Sequence, residues 1–243
     1  MVLAIFGALY VFYRSMRVGV RQSEEIKARF VKDSAFVLDD LTDLPLLKFE
    51  NDTSKKDYFV ILFAGDGGWR GFINVCAKTI SGKGVDVVGF NTLPYFDTIR
   101  TPRNIARDVG RVVHNFGHAW KKKFFILGGY SFSAEILPFV YNNLSPEIKE
   151  KVYKIFMIAP STLADFKASR TYIYDKSKSI PVLPELEKAD QNKFIIFCDD
   201  ADESLCKILP SDSQVELIHL DAGHLFLGKF RDVSSIIADK IVK

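Results

Sequence analysis

From residue 44 onward, short runs rich in Val, Ile, Phe and Leu alternate with longer stretches whose apolar residues recur at helical spacing. The runs at 46–50, 58–64, 85–90, 124–128, 153–159, 193–198 and 215–220 predict strands. Several are almost continuously apolar, as parallel strands covered on both faces must be. The stretches 71–81, 102–122, 133–143, 202–209 and 232–242 predict helices, the second with Thr101 as its cap and Pro102 in its first turn. Such alternation predicts an α/β fold: a doubly wound, mostly parallel sheet with helices on both faces. Residues 167–191 interrupt it with Pro181, Pro184 and several lysines, and read as a long loop or lid. No internal repeat or low-complexity tract is present, so residues 35–243 read as one domain.

The first 34 residues have a different character. Residues 2–13 form an uncharged apolar run ended by Arg14. The run is shorter than the roughly 30 Å hydrocarbon core requires of a helix, but its length fits the apolar region of a secretory signal. Arg14, Arg17 and Arg21 follow it, where the positive-inside rule would hold the next domain in the cytoplasm. A surface-lying amphipathic anchor is the alternative. In every case residues 1–34 read as a signal, anchor or tether.

Composition narrows the function classes. The 243 residues are 48% hydrophobic and 26% charged, which excludes disordered and fibrous chains. A formal net charge of +3 does not suit a nucleic-acid binder. The 21 phenylalanines suggest a bulky aromatic core, or otherwise a site for lipid-like groups. Of the three cysteines, Cys76 lies in an apolar helical stretch as an inert thiol, while Cys198 and Cys206 flank an acidic loop and are placed for a short disulfide in an oxidising compartment.

The chemistry-bearing run begins at strand 124–128. Gly129-Tyr130-Ser131-Phe132-Ser133 joins this strand to a helix, a near match to the nucleophile-elbow pattern G-x-S-x-G. The turn demands small residues two before and two after the serine, and Ser133 is small although it replaces the usual glycine. A helix-capping serine would look similar in isolation. A serine nucleophile needs a base, and four histidines are available. His114 and His118 fall four apart on a polar helix and read as a solvated face, and His219 sits within a strand. His224 follows the last strand in a small-residue loop, where an α/β-hydrolase carries its base. The acid should follow the preceding strand, where Asp199, Asp200, Asp202 and Glu203 cluster; Asp202 is the first choice and Asp200 the second. Gly65-Asp66-Gly67-Gly68-Trp69 follows strand 58–64 and suits the second half of an oxyanion hole, with the amides of Asp66 (or Gly67) and Phe132 as donors. This chemistry calls for no metal or cofactor.

GDGGW at 65–69, NTLPYFDTIRTP at 91–102, GYSFSAEILPF at 129–139, LTDLPL at 41–46 and the acidic stretch ending at Cys206 resemble the AcvB/VirJ family of bacterial virulence proteins. The resemblance covers residues 40–240. It implies an α/β-hydrolase fold, a periplasmic or inner-membrane-anchored location, and a serine esterase that hydrolyses aminoacyl-phosphatidylglycerol, notably the lysyl ester. Ser131 would then be the nucleophile, His224 the base and Asp202 the acid. Gly67, Trp69, Asp199 and Glu203 would face the substrate, and the carboxylates of Asp66, Asp199 and Glu203 are the candidates to meet its ammonium groups. The implied partners are an aminoacylated phospholipid, the membrane surface and secretion-system proteins. A non-catalytic accessory of type IV secretion and a soluble esterase for small acyl groups are the alternatives.

Overall fold

The computed structural model describes residues 40–168, 178–201 and 203–242. The seven expected strands all form and join one sheet: β1 (Leu46–Phe49), β2 (Tyr58–Phe63), β3 (Val87–Phe90), β4 (Phe124–Tyr130), β5 (Val152–Ile158), β8 (Phe194–Cys198) and β9 (Glu216–His219). Their order is β1-β3-β2-β4-β5-β8-β9, parallel throughout except for β1, which runs antiparallel to β3. This is the α/β-hydrolase architecture. Two short strands, β6 (Leu163–Ala164) and β7 (Ile180–Pro181), make a separate antiparallel ribbon, β7 lying within the stretch expected to be a loop.

The helices are α1 (Phe72–Gly82), α2 (Thr92–Tyr95), α3 (Pro102–Ala119), α4 (Phe132–Asn143), α5 (Pro146–Glu150), α6 (Leu183–Glu187) and α7 (Phe230–Ile241). Thr101 caps α3 as expected, its hydroxyl accepting the Asn104 amide at 3.2 Å. The expected helix at 202–209 is instead a single 3-10 turn, Leu205–Lys207. Cys198 and Cys206 are disulfide-bonded across this loop with their Cα atoms 6.0 Å apart, closer than a continuous helix between them, at about 1.5 Å per residue, would hold them.

Period-two alternation along the strands divides the core between the two sheet faces. Phe59, Ile61 and Phe63 of β2 join a cluster with Ile105 and Val109 of α3 and Ile136 and Leu137 of α4. Val60 and Leu62 point the other way, with Phe72 and Ile80 of α1 and Val233 and Ile237 of α7. The phenylalanines largely serve this core: Phe59, Phe63, Phe90, Phe96, Phe125, Phe156, Phe194, Phe197 and Phe226 are all fully buried. Cys76 is sealed within it, and burial pushes its thiol up to about 12, so it is inert. Arg111 of α3 grips both carboxylate oxygens of Asp43 at 2.9 and 2.7 Å, which docks the LTDLPL segment against the helix.

Among the described residues, no helix is long and apolar enough to cross a membrane. The apolar run at 2–13 lies outside them.

The disulfide braces the loop after β8, and its loss should free that loop chiefly in the unfolded chain. Cys206→Ser should lower unfolding free energy by about 2–3 kcal/mol, the scale for so short a closed loop. Urea denaturation of wild type and variant under non-reducing conditions measures this.

Candidate active site

Because β2, β4, β5, β8 and β9 are parallel, the residues following each of them emerge at one edge of the sheet. Ser131 stands in the turn between β4 and α4 with φ 53° and ψ −123°, a backbone region that a side-chain-bearing residue enters at a cost of about 1–3 kcal/mol. The surroundings hold it there. Its N–H donates to the Ile158 carbonyl at 2.9 Å, and its own carbonyl accepts the Ala134 amide at 2.8 Å. The turn is so tight that a Cβ on Gly129 would come within 2.8 Å of the Ser133 backbone.

Ser133, the departure from the motif, has a task of its own. Its fully buried hydroxyl accepts the Tyr130 amide at 2.9 Å and faces the carbonyls of Phe63 and Tyr130 at 3.1 and 3.2 Å. It thereby ties the elbow to the end of β2, which a glycine could not do.

Ser131 Oγ lies 2.8 Å from His224 Nε2. On the far side of the ring, His224 Nδ1 is 2.6 Å from Asp199 Oδ2. The structure thus brings Ser131 and His224 together as the sequence suggests, but the acid that meets the imidazole is Asp199. The expected acid, Asp202, lies outside the described residues. Asp200 is exposed. Asp199 takes the place because β8 ends at Cys198, so the next carboxylate emerges directly beside β9 and the loop that follows it. Its side chain is 1% exposed, which corrects the expectation that it faces the substrate. Burial alone would raise the Asp199 carboxyl. The hydrogen bond and charge of His224, aided by the amides of Ala201 and Asp199, outweigh burial and leave it below its ordinary value. His224 is correspondingly raised above 6.5, first by the hydrogen bond to Asp199 and further by the charges of Asp199, Glu135 and Asp66, against a desolvation that lowers it.

The loop bearing His224 is firmly held. The Tyr130 hydroxyl donates to the His224 carbonyl at 2.9 Å. Phe226, at φ 51°, is buried with its ring 4.7 Å from Phe72 and 5.8 Å from Tyr130. This leaves its neighbours Leu225 and Leu227 61% and 76% exposed.

The glycine-rich loop lies at the same edge. Asp66 is exposed and within electrostatic reach of Tyr130, Glu135 and His224. Residues Asn91 and Thr92, just past β3, anchor the loop: Asn91 Oδ1 accepts the Trp69 amide at 3.0 Å, and the Thr92 hydroxyl donates to the Gly65 carbonyl. Phe132 contributes the first amide of α4, where helical geometry leaves the amide without an intrahelical acceptor. Gly67 is covered by the Arg70 guanidinium, which a Cβ there would meet at 2.5 Å.

Trp69 corrects a second expectation. It is a core residue: its ring lies 5.6 Å from Phe49 and fills the space above Gly89, where a Cβ would meet it at 2.4 Å. Glu203 is exposed, and its backbone carbonyl accepts the Thr162 amide.

His114, His118 and His219 are all exposed, the first two on α3 and the third at the last residue of β9. Among the described residues no group of His, Cys, Asp and Glu is arranged to hold a metal ion. Sequence reading passed over Glu135, a buried carboxyl on α4 bonded to Ser161. Its signal was an isolated acid inside the apolar run of a helix.

A family model described as bacterial virulence protein (VirJ) matches residues 57–243. No curated protein matches the sequence. Among solved structures, the chain is similar to the esterase Est1E from Butyrivibrio proteoclasticus, at 12% identity and TM-score 0.57 over 81% of this chain and 92% of that one. A lidless serine hydrolase from Xanthomonas campestris is similar at 16% identity and TM-score 0.52, over 81% and 87% of the two chains. A lipase-esterase related protein from Clostridium acetobutylicum is similar at 14% identity and TM-score 0.56, over 82% and 98%. At these identities the likeness is one of fold.

Two predictions follow from the geometry. Ser133→Ala leaves the Tyr130 amide without its acceptor and should destabilise the protein by about 1–3 kcal/mol in denaturant melts. In an NMR titration the His224 imidazole should deprotonate above pH 6.5. Asp199→Asn removes the main cause of that rise, so the same resonance should titrate at lower pH in the variant.

Proposed function

The chain belongs to the VirJ family of bacterial virulence proteins, and on that premise we propose that it is a serine esterase hydrolysing aminoacyl esters of phosphatidylglycerol at the bacterial envelope. The observation that carries the reading is the chain of contacts Ser131 Oγ to His224 Nε2 at 2.8 Å and His224 Nδ1 to Asp199 Oδ2 at 2.6 Å.

In this reading Ser131 Oγ attacks the ester carbonyl while His224 Nε2 takes its proton. Asp199 holds the ring in the tautomer that presents a bare Nε2, and stabilises the imidazolium once formed. The carbonyl oxygen, now negative, is met by the amide of Phe132 and an amide of the loop at Asp66 or Gly67. Collapse of the tetrahedral species breaks the ester bond, and His224 returns the proton to the departing lipid alcohol. Water then repeats the sequence on the acyl-enzyme and frees the amino acid with Ser131 restored.

Three features support this reading of substrate and compartment. Exposed Leu225 and Leu227 follow closely on His224 and suit a lipid interface. The carboxylates of Asp66 and Glu135 bias the field toward a positively charged acyl group. The Cys198–Cys206 disulfide suits an oxidising compartment such as the periplasm.

Purified protein presented with vesicles containing lysyl-phosphatidylglycerol should release lysine, and Ser131→Ala should lose several orders of magnitude in rate. Wild type that cleaves simple esters through Ser131 but leaves this lipid intact would overturn the lipid assignment. Replacing Leu225 and Leu227 by serine should depress vesicle turnover while sparing a water-soluble ester.

A further inference from the structure

Glu135 is a carboxyl that the hydrolytic steps above do not employ. It lies on α4 four residues past Ser131, one turn into the helix, and its amide approaches the Ser131 carbonyl at 3.3 Å. It is 8% exposed. Oε1 is engaged by Ser161, which donates its hydroxyl at 2.6 Å and its amide at 3.3 Å. Oε2 has no hydrogen-bond partner among the described residues and is not sealed from solvent. No Lys or Arg among the described residues pairs with this carboxyl.

A buried carboxylate without a cation is costly, and an apolar or amide side chain would suit the helix better on stability alone. The charges near it do not compensate fully. His224 lies within electrostatic reach but already serves Asp199, and Asp66 opposes ionisation. Burial pushes the Glu135 carboxyl up to about 7, against the pull of the Ser161 hydrogen bonds and His224. A cationic ligand would supply both the missing countercharge and a donor for the free oxygen. In an aminoacyl ester that cation sits on the carbon next to the carbonyl that Ser131 attacks.

We propose that Glu135 selects aminoacyl over simple acyl esters by receiving the α-ammonium group of the substrate at its open carboxylate oxygen. The assignment rests on the esterase reading above and adds its acyl-side determinant. Ser161 holds the carboxylate through Oε1, which leaves Oε2 for the ammonium group. The phosphate of a lipid substrate belongs to the leaving group, on the other side of the scissile bond, and is not drawn toward this acid.

The test compares norleucine methyl ester with methyl hexanoate, which differ only in the α-amino group. Wild type should prefer the amino ester, and Glu135→Gln, which keeps an acceptor for Ser161, should reduce that preference roughly 10- to 100-fold, the scale of a hydrogen bond to a charged group. The loss should appear in KM for norleucine methyl ester and exceed any change on methyl hexanoate, with an unchanged thermal melt serving as the check on folding. Glu135→Asp should restore part of the preference. An equal loss on both esters would overturn the proposal, because it would mark a role in positioning Ser131. Wild type that cleaves methyl hexanoate through Ser131 with no preference for the amino ester would also overturn it, whatever the fate of the variants, and would leave the serine esterase standing. Absence of turnover on both esters by wild type would remove the esterase reading and this assignment together.

Discussion

The left-handed backbone at Ser131 is the constraint on which the rest of the site depends. A residue with φ 53° and ψ −123° does not stay there unaided, and every neighbouring element contributes to keeping it. Gly129 removes the Cβ that would strike α4, β5 supplies a carbonyl to the Ser131 amide, and Ser133 stitches the turn to the end of β2. The core apolar faces of β4 and α4 make this strain affordable, since both elements are buried almost throughout. The outcome is a hydroxyl presented above the sheet edge, with the start of a helix behind it.

The other loops then need only reach that point. Parallel strands guarantee that they leave the sheet at the same edge, and short polar braces set their aim. Tyr130 holds the His224 loop by its main-chain carbonyl, while Asn91 and Thr92 hold the glycine-rich loop. The disulfide closes the acidic loop one residue before Asp199. Positions that look incidental in the sequence, such as Tyr130 within the elbow and Asn91 after β3, are therefore the ones that fix the distances between reactive atoms.

Strands were legible because the buried sheet makes them nearly continuous in apolar residues, and the edges of all seven came within a few residues. The serine and histidine were legible because each occupies a topologically forced place after a strand. The acid was harder. Four carboxylates follow β8 within five residues, and choosing among them needs the residue at which the strand ends and the direction each side chain takes. Expecting a helix from 202 moved the choice too far along, whereas the disulfide confines the chain to a 3-10 turn and the first carboxylate past the strand meets the imidazole. Trp69 misled for a different reason. The resemblance implied that it faces the substrate beside the glycine loop, yet the absent Cβ at Gly89, twenty positions along the chain, opens a slot for it in the core. Glu135 was hidden because a single acid in an apolar helix carries no periodic signal.

The central claim is that His224 and Asp199 make Ser131 a nucleophile. It is tested most directly by reacting the purified protein with a fluorophosphonate, whose fluoride is displaced as the serine oxygen bonds to phosphorus, and mapping the adduct by mass spectrometry. The account predicts one adduct, on Ser131, formed orders of magnitude more slowly in Asp199→Asn. Failure of Ser131 to react, or an Asp199→Asn variant that reacts as fast as wild type, would contradict it.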